Sequence, residues 1–136
     1  MRKKATLLVA EDDINIQDLI NAVFHQYFSL IQVSDGEAAI EKIQSNQVDV
    51  AILDINIPKV NGLQVLKAIQ KMDSAHKPAT VVMSGDNSSN TISRAYDSGA
   101  DVFISKPFDL IPLHKEVMNL MLNITGESTE NGALFG

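Results

Sequence analysis

Short apolar runs alternate along the chain with longer stretches in which apolar residues recur every three or four positions. The short runs are rich in β-branched residues and are bounded by polar or turn residues, which is typical of strands buried in a parallel sheet. The predicted strands are Ala5–Ala10, Ser29–Val33, Val48–Leu53, Thr80–Met83 and Val102–Ile104.

The stretches between these strands have the spacing of amphipathic helices. Asp12 or Asp13 is expected to cap the first helix, and Ser34 or Asp35 the second. The apolar positions that mark the five predicted helices are Ile16, Leu19, Ile20, Val23, Phe24 and Tyr27; Ala39, Ile40 and Ile43; Leu63, Leu66 and Ile69; Ile92, Ala95, Tyr96 and Gly99; and Leu110, Leu113, Val117, Leu120 and Met121.

Strict alternation of strands and helices predicts an α/β fold, with a doubly wound parallel sheet of five strands and five flanking helices. In such sheets the ligand site lies beyond the carboxyl ends of the strands. The polar residues expected there are Glu11, Asp12, Asp13, Asp54, Ser84 and Lys106.

Crowded carboxylates at that edge would repel each other unless a cation is present. Oxygen-rich sites with one or two fixed carboxylates suit Mg²⁺. No histidine lies near a predicted strand end and the chain has no cysteine, so zinc and copper are disfavoured. The pattern therefore indicates a magnesium site.

Each of these residues also has an ordinary structural explanation. The run Glu11–Asp13 could serve only the dipole of the helix that follows, Ser84 could be a loop residue, and Lys106 a solvated surface lysine. Asp54 is harder to explain in this way, because Pro58 and Asn61-Gly62 separate it from the next helix.

Composition narrows the function further. The formal net charge is −6 and the pI about 4.9, so we expect no direct binding to nucleic acid. The absence of cysteine excludes disulfides and thiolate chemistry.

The apolar run Ala5–Ala10 is shorter than the ~7–15 residues of a signal-peptide core, and no run reaches the ~18 apolar residues of a membrane span. We expect a soluble cytoplasmic protein without a membrane partner.

The segments LLVAEDD, VAILDINIPKVNG, VVMSG and GADVFISKPF stand in an order and spacing that resembles the receiver domain of bacterial two-component response regulators. The resemblance covers about residues 5–123. It implies a flavodoxin-like strand order 2-1-3-4-5, a receiver domain over residues 1–124, and a flexible tail or start of a linker over 125–136.

The resemblance also implies roles for individual residues. Asp54 is the phosphoacceptor, assisted by Lys106 and by the hydroxyl of Ser84. The implied ligands of Mg²⁺ are Glu11, Asp12, Asp54 and the main-chain carbonyl of Asn56. Mn²⁺ is expected to be able to replace Mg²⁺. Ser84 and Phe103 are the switch residues, Lys106–Pro107 is the expected cis peptide, and Asn56 and Asp86 tune the lifetime of the phosphoryl group. Many relatives have Tyr at the position of Phe103 and Thr at that of Ser84.

The partners implied are a sensor histidine kinase or phosphotransfer protein, and an output domain or protein that contacts the fourth helix, fifth strand and fifth helix. A homodimer is left open. The chain is expected to catalyse only its own phosphorylation and dephosphorylation, and so not to be an enzyme in the usual sense.

Two other functions share this fold class. A Mg²⁺-dependent phosphohydrolase with an aspartyl-phosphate intermediate would resemble haloacid-dehalogenase-like phosphatases, which carry a second acid two residues after the nucleophile; that position is Asn56 here. An unphosphorylated interaction module is disfavoured because Glu11, Asp12, Asp54, Ser84 and Lys106 are all present.

Overall fold

The computed structural model describes residues 4–107 and 109–125, in which strands and helices alternate throughout. The elements are β1 Ala5–Ala10, α1 Ile14–Phe24, β2 Phe28–Val33, α2 Gly36–Ser45, β3 Val50–Asp54, α3 Gly62–Gln70, a short 3-10 helix Ser74–His76, β4 Ala79–Ser84, α4 Ser89–Asp97, β5 Val102–Ser105 and α5 Leu110–Thr125.

The five strands form one parallel sheet in the order β2-β1-β3-β4-β5, which confirms the predicted fold class and strand order. The chain moves outward from β1 to β2 and then returns past β1 to form β3. The connections after β1 and β3 therefore leave the sheet in opposite directions, and a crevice opens between them at the carboxyl ends of these two strands.

Both faces of the sheet are buried, because alternate side chains of each strand point to opposite faces. Leu7 and Val9 of β1 pack with α1 and α5, whereas Leu8 and Ala10 pack with α2, α3 and α4. The strand sequences are apolar at nearly every position for this reason, and burial on both faces holds the strand ends in fixed positions.

Polar side chains define the starts of the helices. Asp13 accepts a hydrogen bond from Asn15 N and caps α1, while Asp35 accepts one from Ala38 N and caps α2. These caps confirm one of the two residues predicted at each position. Asn61 caps α3 in a capping box with Gln64, and Ser88 caps α4.

Several predicted boundaries and apolar positions were wrong. β3 begins at Val50 rather than Val48, and Asp49 instead accepts a hydrogen bond from Thr6 N at 2.7 Å through its side chain. Tyr27 and Gly99 lie beyond the ends of α1 and α4. Leu19 and Tyr96 are each 47% exposed, because the buried stripes of these helices pass through neighbouring positions.

Within the described residues, no helix is both long and apolar enough to cross a bilayer. α5 extends to Thr125, one residue past the predicted domain boundary. The rest of the predicted tail, residues 126–136, lies outside the described residues, so that boundary stays a prediction.

The β3–α3 connection is fastened to the start of α2 by a close backbone contact. Gly36 N donates to Pro58 O at 3.2 Å, and a Cβ added at Gly36 would lie 1.7 Å from Val60 O. A main-chain atom cannot rotate away as a side chain can. The substitution Gly36→Ala should therefore lower the free energy of unfolding by about 1–3 kcal/mol, measured by urea denaturation.

The control is Gly85→Ala, because a Cβ at Gly85 meets no atom within 4 Å. Its free energy of unfolding should change by no more than about 0.5 kcal/mol. Equal losses in the two variants would contradict the close contact at Gly36.

Candidate functional site

Three acidic residues and a lysine meet at the carboxyl ends of β1, β3 and β5. The ammonium group of Lys106 lies 2.8 Å from Glu11 Oε1 and 2.9 Å from Asp54 Oδ2. Glu11 follows β1, Asp54 is the last residue of β3, and Lys106 follows β5. The sheet order thus brings together side chains that are up to 95 residues apart in the sequence.

Burial makes these charges strongly dependent on one another. Glu11 is 0% and Asp54 4% exposed, whereas the side chain of Asp12 is exposed. Burial, reinforced by the negative charge of Asp54, raises the pKa of Glu11 even though hydrogen bonds from Lys106 and Asp13 N act in the opposite direction. Burial would also lower the pKa of Lys106, but its hydrogen bonds to the two carboxylates outweigh this effect and raise it.

The three acids form a group that could hold a metal ion. Carboxylate oxygens of Glu11, Asp12 and Asp54 lie within 4.8 Å of one another. The group has three carboxyl groups against one ammonium group, and its donors are all oxygen. Both properties suit a divalent cation such as Mg²⁺, so the residues fit the ion that the sequence predicts.

Asn56 lies beside the Asp54 carboxylate, since its main-chain N–H donates to Asp54 Oδ1 at 3.2 Å. Its side chain is exposed. The peptide bond between Lys106 and Pro107 is cis. The role of the Asn56 carbonyl as a ligand stays a prediction.

Ser84 is buried at the end of β4, and its main-chain carbonyl accepts a hydrogen bond from Lys106 N at 2.8 Å. Its hydroxyl oxygen accepts one from Asp86 N at 3.0 Å. The Asp86 carboxylate in turn accepts hydrogen bonds from Thr91 Oγ1 at 2.7 Å and from Ser88 N at 3.0 Å. The β4–α4 loop is therefore linked to the first turn of α4.

Phe103 is partly buried against the core on the α2–α4 side of the sheet. Its main-chain N–H donates to the hydroxyl of Tyr96 at 3.1 Å. Phe103 itself lacks a hydroxyl, but Tyr96 places one on the same face. The spacing of Ile92, Ala95 and Tyr96 predicts a buried helix face, and that prediction does not include this contact of the Tyr96 hydroxyl.

Two buried polar residues near the site were also missed. Thr91 holds Asp86, and the side-chain amide of Gln17 donates to Glu11 O and, at 3.3 Å, to Ser34 Oγ. The burial of Gln17 could have been predicted from the sequence. Gln17 stands three residues before Ile20 and seven before Phe24, and therefore lies on the buried stripe of α1. A polar residue on an inward stripe requires hydrogen-bond partners.

Comparison with known proteins gives a consistent result. Residues 7–118 match the model of the family described as the response regulator receiver domain. The transcriptional regulatory protein CiaR of Streptococcus pneumoniae is 28% identical over 130 residues, which are 96% of this chain and 57% of CiaR. The chain thus spans little more than half the length of that relative.

Solved structures agree with the fold. The receiver domain of the Francisella response regulator 1452 superposes with a TM-score of 0.79 at 27% identity, covering 86% of this chain and 96% of that one. The receiver domain of Ssk1 from Saccharomyces cerevisiae, co-crystallised with the histidine phosphotransfer protein Ypd1, gives a TM-score of 0.80 at 20% identity, covering 89% and 92%. At that identity the second match supports the fold alone.

The hydrogen bonds of Asp86 lead to a pH prediction. The Thr91 hydroxyl, and after it the Ser88 N–H, hold the pKa of Asp86 below its ordinary value of 3.8. A lowered carboxyl pKa stabilises the fold above the unfolded-state pKa, and this contribution is lost as the pH falls through the folded-state pKa. The variant Thr91→Val should raise the pKa of Asp86 in an NMR titration and weaken the acid dependence of stability.

The matched control is Thr91→Ser, which keeps the hydroxyl and should leave the pKa of Asp86 low. If the valine and serine variants titrate alike, the Thr91 hydroxyl does not control this carboxylate.

Proposed function

The chain belongs to the response regulator receiver domains of two-component systems, and on that basis we propose that it accepts a phosphoryl group on the carboxylate of Asp54 with Mg²⁺ bound. The observation that carries the proposal is the position of Asp54. It ends a fully buried strand, 2.9 Å from an ammonium group and beside two further acids.

In the proposed reaction, an oxygen of Asp54 attacks the phosphorus of a phosphohistidine or of a small phosphodonor. A phosphorus–oxygen bond to Asp54 forms. With phosphohistidine, the phosphorus–nitrogen bond breaks and the imidazole leaves with the bonding electron pair; with a small acyl phosphate, the phosphorus–oxygen bond breaks and the carboxylate leaves with that pair. Asn56 N and Lys106 Nζ each hold one oxygen of the carboxylate, so the nucleophile is oriented before the donor arrives.

The main requirement for catalysis of this transfer is stabilisation of negative charge, because the transition state is loose and its charge is spread over the phosphoryl oxygens. Lys106 supplies one positive charge. Glu11, Asp12, Asp54 and the carbonyl of Asn56 would hold Mg²⁺, which supplies the rest when bound. Because the ammonium group of Lys106 already contacts Asp54 and Glu11, it can turn to the phosphoryl oxygens after the reaction with little movement.

Ser84 is suited to report the new group. Its oxygen already accepts a hydrogen bond from Asp86 N, which leaves its proton free to be donated to a phosphoryl oxygen. A phosphoryl group adds about −1.5 to −2 charges at neutral pH. Movement of Ser84 toward it would shift the β4–α4 loop and favour an inward position of Phe103, biasing a pre-existing equilibrium.

The surface formed by α4, β5 and α5 is the proposed output face, since Phe103 and Tyr96 both lie on it. The proposed phosphodonor is a histidine kinase or a phosphotransfer protein, the class to which the partner of Ssk1 belongs. Asn56, whose main chain contacts Asp54, and Asp86, whose main chain contacts Ser84, are proposed to set the lifetime of the phosphoryl group. The proposed receiver unit is residues 1–124.

Incubation with acetyl phosphate and Mg²⁺ should add one phosphoryl group, measured by intact-protein mass spectrometry. Asp54→Asn should abolish the addition. Lys106→Met should slow it by about a hundredfold, because a preorganised cation facing the developing charge is lost. Removal of Mg²⁺ with a chelator should stop it.

The control is Asp18→Asn, which alters an exposed acid on α1 and should label like the wild type. Labelling that survives Asp54→Asn would contradict the proposal. Sustained release of phosphate from generic phosphomonoesters would also contradict it, because that result belongs to a phosphohydrolase.

A further inference from the structure

Asp12 differs from its neighbours in that no contact within the described part of the chain holds its carboxylate. The Glu11 carboxylate accepts hydrogen bonds from Lys106 and Asp13 N, and that of Asp54 accepts them from Lys106 and Asn56 N. Across residues 4–107 and 109–125, by contrast, the Asp12 side chain makes no hydrogen bond or ion pair. Among the described residues, only the main chain therefore constrains this side chain, by setting the direction of its Cα–Cβ bond.

The main chain at Asp12 is held through the preceding peptide group. Glu11 N donates to Val33 O at 3.1 Å, and Glu11 O accepts a hydrogen bond from the side-chain amide of Gln17. A peptide unit is planar, so fixing its carbonyl oxygen also fixes the nitrogen and the Cα of the next residue. The Gln17 amide thereby sets the direction in which the Asp12 side chain leaves the backbone.

Gln17 is itself held rigidly. It is buried on α1, its main-chain N donates to Asp13 O at 3.0 Å, and its main-chain O accepts from Gln32 Nε2 at 3.0 Å. The side-chain amide of Gln17, which donates to Glu11 O, also donates to Ser34 Oγ at 3.3 Å. Gln17 therefore connects α1 with the segments that follow β1 and β2.

We propose that Gln17 is a positioning residue, which orients the Glu11–Asp12 peptide so that the Asp12 carboxylate is directed at the bound cation. This inference rests on the proposed function, because it takes Asp12 as a ligand of Mg²⁺. Gln17 touches neither the cation nor the phosphoryl group and acts only through the main chain of Glu11.

The proposal distinguishes Mg²⁺ from Ca²⁺. Mg²⁺ requires nearly ideal octahedral geometry, whereas Ca²⁺ accepts variable ligand number and direction. A ligand that is misdirected but still present should therefore cost more affinity for Mg²⁺ than for Ca²⁺. General loosening of the fold would weaken the binding of both ions by the same factor.

The test is calorimetric titration of the unphosphorylated protein with MgCl₂ and, separately, with CaCl₂. Gln17→Met keeps the length of the side chain but removes the donor. It should raise the Kd for Mg²⁺ about tenfold, the lower end of the range for residues that orient metal ligands. The Kd for Ca²⁺ should rise only about twofold. An unchanged Kd for Mg²⁺, or equal factors for the two ions, would overturn the proposal.

Two controls separate the Glu11 contact from the others. Ser34→Ala removes only the second acceptor of the Gln17 amide, and Gln44→Met removes an exposed amide on α2. Both should bind Mg²⁺ like the wild type. If Ser34→Ala loses as much affinity as Gln17→Met, the Glu11 contact is not the cause.

NMR on the wild type covers the case in which Gln17→Met does not fold. The side-chain amide signals of Gln17 should shift when MgCl₂ is added, whereas those of Gln44 should not. Gln17 signals that stay fixed while the main-chain amide of Asp12 shifts would overturn the proposal. If the wild type binds no Mg²⁺ at all, the proposed function fails; if it binds and Gln17→Met binds equally, only this inference fails.

Discussion

The ammonium group of Lys106 is the contact on which the site depends. It bridges two carboxylates that are almost fully buried, 2.8 Å from Glu11 and 2.9 Å from Asp54, and its own side chain is only 20% exposed. Without it, two adjacent buried acids would repel each other. Breaking a buried ion pair typically costs about 3–5 kcal/mol, and the partial exposure of Lys106 reduces that figure. One ammonium group for three acids still leaves an excess of carboxyl groups, an arrangement that suits a further cation.

The same residue connects the acids to the far edge of the sheet. Lys106 follows β5, its main-chain N donates to Ser84 O at 2.8 Å, and Phe103 lies three residues earlier on the same strand. Lys106 therefore contacts Asp54 through its side chain and the end of β4 through its main chain. The charged site and the α4–β5–α5 surface are therefore joined through β5.

The sequence allowed the residues at the strand ends to be predicted, because parallel strands place their carboxyl ends at one edge whatever the details of packing. Asp54, Ser84 and Lys106 follow from that rule alone. Tyr96 and Thr91 do not. The spacing of Ile92, Ala95 and Tyr96 predicts a helix here, and Thr91 is not among its marked positions. Whether a helical residue faces the core, a loop or solvent depends on how α4 is rotated against β5, and that rotation is a property of the whole packed structure.

The charged residues at the strand ends and the residues that hold the neighbouring loops therefore differ in how far the sequence predicts their positions. Glu11, Asp12, Asp54 and Lys106 carry the charges at the strand ends. Gln17, Thr91 and Tyr96 instead each hold one loop or strand through a hydrogen bond. Gln17 acts on the β1–α1 connection, Thr91 on the β4–α4 loop, and Tyr96 on β5. Since these contacts lie on separate segments, each segment is held by a hydrogen bond of its own, without use of the charged side chains of Glu11, Asp12, Asp54 and Lys106.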